Sequence, residues 1–263
     1  MYWLFSNVNH AFVEINEKFV LINDDCLYVL KHIRSSSIDM IFADPPYFLS
    51  HGGITCKSGK IACVDKGEWD KESDRKKIDE FNYNWIKECK RILKKDGTIW
   101  ITGTFHNIYS VGQALHHLGF KILNSIVWQK KDPPPNMSKR MFTHSHEYII
   151  WAKKSPQSRH YFNYEAMIKE NNGKQMTDVW FIPHVPLHEK TFGYHPTQKP
   201  LQLLNRIIIA STKRNDIILD PFCGSGTTGV SALSLNRKFI GIEQEKRFIN
   251  LAKKRIDSIY NVL

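Results

Sequence analysis

The chain has 263 residues, 42% of them hydrophobic, with 37 basic against 26 acidic side chains and a formal charge of +11. That length accommodates one large α/β domain, or a domain with a substantial insertion, and the charge favours a polyanionic partner, most simply nucleic acid. No apolar stretch is long enough to cross a bilayer, the start Met1-Tyr2-Trp3-Leu4-Phe5 lacks the basic flank of a signal peptide, and the cysteines (26, 56, 63, 89, 223) have neither Cys-x-x-Cys nor zinc spacing. The expectation is a cytoplasmic protein with reduced thiols, no membrane association and no metal.

Val20-Leu21-Ile22 reads as a strand, followed by a short helix over Cys26–His32 and a strand over Ile38–Ala43. The stretch 48–79 holds Gly52, Gly53, Gly59 and Gly67, many charges and no sustained period, as a long functional or disordered loop does. Phe81, Trp85, Cys89, Ile92 and Leu93 recur at helical spacing, and Lys94-Lys95-Asp96-Gly97 is expected to end that helix. A strand over 98–102 follows. A helix marked by Ile108, Val111, Leu115 and Leu118 is stopped by Gly119, and 120–129 returns as a strand. Asp132-Pro133-Pro134-Pro135-Asn136 is a rigid loop, because proline cannot donate to a sheet ladder. After a strand over 147–152 the alternation weakens, and 155–194 reads as a smaller irregular insertion rich in aromatic, His and Pro residues. Pro200 suits the first turn of a helix whose Leu203, Leu204, Ile207, Ile208 and Ser211 share one face. Ile217-Ile218-Leu219 and Phe239-Ile240-Gly241-Ile242 are strands with a helix between them, and Phe248, Leu251, Ala252, Arg255 and Ile259 close the chain with an amphipathic helix. Repeated strand–helix alternation predicts a largely parallel sheet covered on both faces.

Two motifs sit where predicted strands end, the place where open α/β sheets present ligands. The downstream one is Asp220-Pro221-Phe222-Cys223-Gly224-Ser225-Gly226-Thr227-Thr228-Gly229. Its glycines match the G-x-G-x-x-G pattern of dinucleotide sites, and Glu243, ending the next strand, can accept both hydroxyls of a ribose. NAD is a competitor on this evidence. Three observations favour S-adenosylmethionine instead. Asp220, Pro221 and Phe222 place a carboxylate and a ring in the loop, which suits a cationic ligand better than a pyrophosphate. Only one strand follows the motif, so there is no second nucleotide half. NAD also leaves the upstream motif without a role. A P-loop is excluded by the lack of Gly-Lys-Ser/Thr.

The upstream motif is Asp44-Pro45-Pro46-Tyr47. A base amine is a poor nucleophile because its lone pair is delocalised into the ring. The Asp44 carboxylate can hold one amino hydrogen and the Pro45 carbonyl the other, drawing the nitrogen toward tetrahedral geometry with its lone pair aimed at a methyl donor. The prolines fix the backbone, and Tyr47 offers a face on which a flipped base stacks. A plain turn, for which Asp-Pro is a good starter, is the alternative for this motif taken alone.

With these motifs the chain resembles the amino-methyltransferases of DNA in which the catalytic motif precedes the cofactor motif, the beta class. The resemblance covers most of the chain and includes Gly97-Thr98-Ile99-Trp100-Ile101-Thr102-Gly103 and His195-Pro196-Thr197-Gln198-Lys199-Pro200. Phe48-Leu49-Ser50, Val64-Asp65-Lys66-Gly67 and His106-Asn107-Ile108-Tyr109 are similar to the DpnA-type adenine methyltransferases of GATC restriction–modification systems. The resemblance implies transfer of a methyl group from S-adenosylmethionine to adenine N6, with GATC as the implied site. It implies an α/β, Rossmann-like, circularly permuted sheet with one antiparallel strand. It also implies a homodimer and a cognate restriction endonuclease as partners. Cofactor contacts follow from it residue by residue: His195, Thr197, Gln198 and Lys199 at the methionine end, Asp25 near the adenine, and Asp44, Asp220, Pro221, Phe222, Cys223, Gly224, Ser225, Gly226, Thr227 and Glu243 along the remainder. For Asp25 a helix N-cap is an equal reading. Cytosine-N4 methylation is the nearest alternative, disfavoured by Asp in place of Ser at position 44; an inactive nucleic-acid-binding regulator is the more distant one.

The expected division is 1–128 as the catalytic half, 129–194 as a target-recognition insertion and 195–263 as the cofactor-binding half. Between 121 and 159 there are eight basic residues against Asp132 and Glu147. Lys130, Lys131 and Lys139 are candidate phosphate contacts, and Asn136 and Arg140 candidate readers of base edges. Lys153 and Lys154 belong to the same basic stretch. His144 and His146, without a carboxylate cluster, read as polar contacts. The Gly-rich segment 51–67 is a candidate flap over bound DNA.

Overall fold

The computed structural model describes residues 1–6, 12–49, 54–57, 60–63, 73–131, 133 and 135–260. In chain order the elements are β1 (Phe12–Ile15), β2 (Phe19–Ile22), α1 (Cys26–His32), β3 (Ile38–Ala43), β4 (Ile54–Lys57), β5 (Lys60–Cys63), α2 (Arg75–Ile92) and β6 (Leu93–Gly103). They continue with α3 (Ile108–His117), β7 (Lys121–Gln129), β8 (His146–Lys153), α4 (Tyr164–Glu170), β9 (Val179–Phe181), α5 (Leu201–Ser211), β10 (Ile217–Asp220), α6 (Thr227–Ser234), β11 (Lys238–Ile242) and α7 (Lys246–Tyr260). Nine strands make one sheet in the order β1-β2-β11-β10-β3-β6-β8-β7-β9. From β2 through β6 the pairs are all parallel. β8 runs against both β6 and β7, and at the far edge β1 runs against β2, so two strands oppose the rest.

The sheet separates two apolar layers, which explains the continuous hydrophobic runs in its strands. Successive side chains alternate faces. In β11, Ile240 and Ile242 meet the layer formed with Val29, Trp85 and Val111 of α1, α2 and α3. Phe239 points the other way, to Leu204, Val230 and Ala252 of α5, α6 and α7. β2, β6 and β10 divide in the same manner: Val20, Ile99 and Leu219 lie on the first face, and Leu21, Trp100 and Ile218 on the second. Trp100 stacks on its cross-strand partner Trp151 at 4.6 Å and 12°, and its indole N–H donates to Ser211 Oγ at 3.0 Å.

Three local expectations change. Lys94-Lys95-Asp96-Gly97 does not end a helix in a loop: α2 stops at Ile92 and β6 begins at once. The Lys94 ammonium grips both oxygens of Asp39 at 2.7 and 2.8 Å and draws this segment alongside β3. A Cβ on Gly97 would meet Asp39 O at 2.9 Å, so the close approach requires glycine. Pro200 stands just before the helix, as its cap, rather than in its first turn. The stretch 155–194 contains a helix, α4, and a strand, β9, which pairs parallel with β7. Its Trp180 is buried beside Trp100, 6.3 Å between rings. Of the segment 51–67, the described residues are β4 and β5, an antiparallel pair; the rest of the candidate flap lies outside the described residues.

β3 and β10 are neighbours whose connections leave in opposite directions. β3 runs through α2 to β6 on one side, and β10 runs through α6 to β11 on the other. The crevice at their carboxyl ends is the topological switch point, where α/β sheets bind ligands. Asp44 follows β3 directly, Asp220 ends β10, and Glu243 follows β11. Gly226, at the entrance of α6, has φ of 76°, and a Cβ there would lie 2.7 Å from Ala252 Cβ on α7. Gly226→Ala combines left-handed strain with overpacking, and a loss of about 2–4 kcal/mol is expected. Urea denaturation monitored by tryptophan fluorescence checks it.

Candidate active site

The switch-point crevice opens into a cavity of about 360 Å³. Asp25, Asp44, His195, Thr197, Gln198, Lys199, Asp220, Pro221, Phe222, Cys223, Gly224, Ser225, Thr227 and Glu243 all line it. Gly226 does not line it, being packed on α7 as described. Asp25 also caps α1, its carboxylate accepting from Tyr28 N at 3.0 Å. The apolar wall was not anticipated. Phe48, Ile78, Phe81 and Phe248 line the cavity; Phe81 and Phe248 fall on helix faces that periodicity assigns to the core. Phe222 sits among them, 5.3 Å from Trp85 and 6.2 Å from Phe81.

The glycine loop is held from three sides. The Cys223 amide donates to Ile242 O at 2.8 Å. Glu243 Oε2 accepts from Gly224 N at 2.9 Å and its Oε1 from Glu245 N at 2.8 Å. Arg255 is buried beneath the loop and donates to Ser225 O at 2.7 Å, Ser225 Oγ at 3.0 Å and Thr227 Oγ1 at 2.9 Å. Sequence reading put Arg255 on the apolar face of a helix without a task; its task is to clamp this loop. Gly224 has φ of 52°, and a Cβ there would press on His195 Nε2 at 3.0 Å. The His195 ring packs edge-on to Phe248 at 4.2 Å.

The second half of the site is a chain of buried charges. Asp44 Oδ1 accepts from Thr102 Oγ1 at 2.5 Å and from Tyr47 OH at 2.7 Å, and its Oδ2 accepts from Lys199 Nζ. Lys199 is buried and also lies 3.8 Å from Glu147 Oε2. The other oxygen of Glu147 is paired with Lys130. Tyr47 is 6% exposed, with Lys199 Nζ 5.4 Å from its ring centroid. Its hydroxyl reaches Thr102 Oγ1 and Glu147 Oε2, each at 3.3 Å. Thr102 falls within the resemblance motif 97–103 without a role of its own, and Glu147, inside a strand, carries no distinctive signal in the sequence.

Burial alone would raise the Asp44 carboxyl, but the Lys199 ammonium and the hydrogen bonds from Lys199, Thr102 and Tyr47 overcome it and hold Asp44 below its ordinary value. Glu147 is lowered in the same way, against burial, by Lys199 and Lys130. Lys199 is raised, against burial, by Asp44 and Glu147. At the cofactor-motif end the balance is reversed. Burial raises Asp220 to about 7, although Thr228 Oγ1 and Phe222 N donate to it. Burial also raises Glu243. Burial lowers His195 to about 4, so its ring is neutral at physiological pH.

Among the candidate DNA contacts, Lys131, Lys139 and Arg140 are exposed. Lys130 turns inward to Glu147, over the Trp128 ring at 5.1 Å, and its ammonium is committed there. Asn136 Oδ1 accepts from Ser138 N, Ser138 Oγ and Lys139 N, closing a turn and leaving its amide nitrogen for other contacts. The pairings Gly103↔Tyr148 and Gln129↔His146 put the 130–145 loop at the Asp44 edge of the sheet. Lys153, paired with Thr98, lies at the opposite edge, and the neighbouring Lys154 donates to Leu93 O. His144 stacks on Phe105 at 4.3 Å.

The sequence profile of the DNA methylase family (N6_N4_Mtase) matches residues 38–254, and the chain belongs to that family. It is 53% identical over 248 residues to the Type II methyltransferase M2.MboI of Moraxella bovis, covering 94% of this chain and 91% of that one. It is 54% identical over 242 residues to the Type II methyltransferase M2.DpnII of Streptococcus pneumoniae, covering 92% and 90%. Among solved structures the M1.HpyAVI–SAM complex is similar at a TM-score of 0.66 and 28% identity, over 91% of this chain and 99% of that one. The PvuII DNA methyltransferase (cytosine-N4-specific) shares the fold at a TM-score of 0.75 and 18% identity, over 97% and 95%.

The raised Asp220 carboxyl ties folding to pH. In the unfolded chain it titrates near 3.8, and in the folded protein at about 7. Its contribution to stability is therefore present below 3.8 and lost as pH rises through 7. Asp220→Asn removes the ionisation. The variant is expected to gain stability relative to the wild type as pH is raised from about 5 to about 8, a trend that paired urea titrations read directly.

Proposed function

We propose that this DNA methylase transfers a methyl group from S-adenosylmethionine to adenine N6 at a specific sequence, GATC, as the modification arm of a restriction–modification system. The observation that carries the reading is the Asp44 carboxylate, ionised and half-buried, set beside a carboxylate-lined cavity at one switch point. The cavity suits the cofactor on its own chemistry. Five carboxylates (Asp24, Asp25, Asp44, Asp220 and Glu243) line it against two lysines, Lys77 and Lys199, an arrangement for a ligand of net positive charge. Glu243, whose two oxygens each accept one backbone amide, retains lone pairs for ribose hydroxyls. Gln198 Oε1 is buried without a hydrogen-bond partner and would accept from the ammonium of the methionine end. Phe48, Phe81, Phe222 and Phe248 supply the apolar surface for an adenine ring.

S-adenosylmethionine, when bound, supplies a methyl group activated by its sulfonium. The remaining work falls to the chain. Asp44 accepts an amino hydrogen of the target base and stabilises the positive charge that grows on the nitrogen as the methyl bond forms. The Pro45 carbonyl takes the second hydrogen. Thr102 and Tyr47 fix Oδ1 of Asp44, so the carboxylate cannot rotate away from the base. Tyr47 also presents its ring to the flipped base. Lys131 and Lys139 hold the phosphate backbone at the same edge, and Arg140 beside them reads a base edge. Asp44 favours adenine over cytosine as target, since the N4 enzymes more often carry Ser in that position. The domain roles follow: 1–128 activates the base, 129–194 recognises DNA, and 195–263 binds the cofactor. A homodimer and a cognate endonuclease are the expected partners, and the cytoplasm the expected compartment; no described helix is long and apolar enough to cross a membrane.

Transfer of labelled methyl from S-adenosylmethionine to DNA, followed by nucleoside analysis, tests the reading, with N6-methyladenine expected and N4-methylcytosine excluding it. Asp44→Ala is expected to reduce transfer by roughly 10²–10³-fold or more while DNA and cofactor still bind. Tyr47→Phe keeps the ring and loses the hydroxyl, so it slows transfer alone. Tyr47→Ala also weakens capture of the base, by about 1–3 kcal/mol.

The exposed basic residues give a separate expectation. Neutralising Lys131 and Lys139 should weaken binding to all DNA about equally and reduce the salt slope by roughly one unit per phosphate contact. The methylated sequence should stay unchanged. Arg140→Ala, if it reads a guanine edge, relaxes one position of the site at about 1–3 kcal/mol. Binding measured against salt and sequencing of methylated sites separate the two effects.

A further inference from the structure

Asp44 has a supply problem. Its Oδ1 already accepts two hydrogen bonds, from Thr102 and Tyr47, which fills that oxygen. A base amine must therefore donate to the lone pair left on Oδ2, beside the bond that oxygen accepts from the Lys199 ammonium. As long as Lys199 stays there, it neutralises the carboxylate and opposes the positive charge developing on the base nitrogen. Lys199 has a second carboxylate within reach, since Glu147 Oε2 is 3.8 Å from the same Nζ. Glu147 is 8% exposed and stands in β8, the strand that runs against its neighbours, beside Trp128 in register. Its far oxygen is pinned by Lys130, so the near oxygen keeps its aim at Lys199 and at the Tyr47 hydroxyl. Lys130 is thereby tied into the interior.

We propose that Glu147 is a positioning residue of methyl transfer, receiving the Lys199 ammonium when the target base arrives and so restoring the negative charge of Asp44 that faces the base amine. The movement needed is short, because the ammonium is within ion-pair distance of both carboxylates at the start. Total charge in the pocket does not change during the exchange; only the pairing does. Tyr47 and Thr102 keep Oδ1 fixed throughout. Lys130 supplies the constant counter-charge that lets Glu147 remain ionised in a buried setting.

The inference rests on the reading that methyl transfer occurs at Asp44, and the experiment keeps the two apart. Single-turnover methyl transfer to duplex DNA at saturating S-adenosylmethionine is measured for the wild type, Asp44→Ala, Glu147→Gln, Lys199→Met and the Glu147→Gln/Lys199→Met pair. Glu147→Gln is expected to lower the transfer rate by about tenfold. Its dissociation constants for DNA and S-adenosylmethionine are expected to remain within about twofold of wild type. In the Lys199→Met background the same substitution is expected to have no further effect, because a residue that acts through Lys199 has nothing left to act on. A packing role would lower the rate equally in both backgrounds, and that result overturns the proposal, as does a wild-type rate for Glu147→Gln. Because Glu147→Gln leaves Lys130 without its partner, Glu147→Gln/Lys130→Met is made as well; it keeps the volume, removes the stranded charge and is expected to show the same slow transfer. A near-normal rate for Asp44→Ala would fault the reading of the site itself, whereas an inactive Asp44→Ala beside an unimpaired Glu147→Gln faults the Glu147 proposal alone.

Discussion

The pairing of Asp44 with Lys199 holds the active site together. The two residues are 155 positions apart and come from the two sides of the switch point, one from the end of β3 and one from the segment that leads into α5. Lys199 is buried and Asp44 half-buried, and Glu147 and Lys130 extend the chain of alternating sign outward. Breaking such a pair by removing one member leaves a buried charge and is typically worth about 3–5 kcal/mol of stability. The same contact ties the end of β3 to the segment that leads into α5. The Thr102 and Tyr47 hydrogen bonds converge on the same carboxylate.

The molecule carries opposite fields at two scales. The chain as a whole is +11, whereas the cavity is lined by more carboxylates than lysines. A polyanion is drawn to the outside and a cation to the inside, so the two substrates of a methyl transfer are sorted by sign before any specific contact forms. Burial tunes the inner field further. Asp220 lies near 7 with the thiol of Cys223 and the carboxylate of Glu243 as neighbours, while His195 stays neutral and adds no positive charge.

Much of this was legible in the sequence for a definite reason: the residues concerned sit at ends of strands, where motif and position coincide. The strand over Ile38–Ala43 and the helix over Cys26–His32 appear with the predicted bounds, and Asp44 and Pro46 of one motif share a cavity with Asp220, Phe222 and Gly224 of the other, while Pro45, Tyr47 and Gly226 do not line it. What escaped notice lies inside elements. Glu147 is a polar residue in a strand whose alternation looks complete without it, Thr102 belongs to a motif that assigns it no partner, and only the three-dimensional register brings both to Tyr47. Lys130 was indistinguishable from Lys131 by type and neighbourhood. Its inward turn depends on Glu147, 17 residues away across a loop. The lysine-rich stretch after α2 looks like a helix terminus because the contacts that fix it, among them Lys94 with Asp39 and Ser158 with Lys95 O, are long-range.

The strand order also governs how the protein can be made. β2 and β3 are close in sequence, yet in the sheet they are separated by β11 and β10, which come after residue 216. While the chain is synthesised from its amino end, β2 and β3 each lack the strand that pairs with them in the finished sheet and keep one unpaired edge. Such contacts of high sequence separation form late and slowly. β10, β11 and the glycine loop between them join the two groups of strands and supply one wall of the cavity. A chain that ends before residue 217 therefore lacks that wall. Until β10 and β11 pair, the exposed edges of β2 and β3 are the places where a chaperone, or a second unfinished copy, would attach.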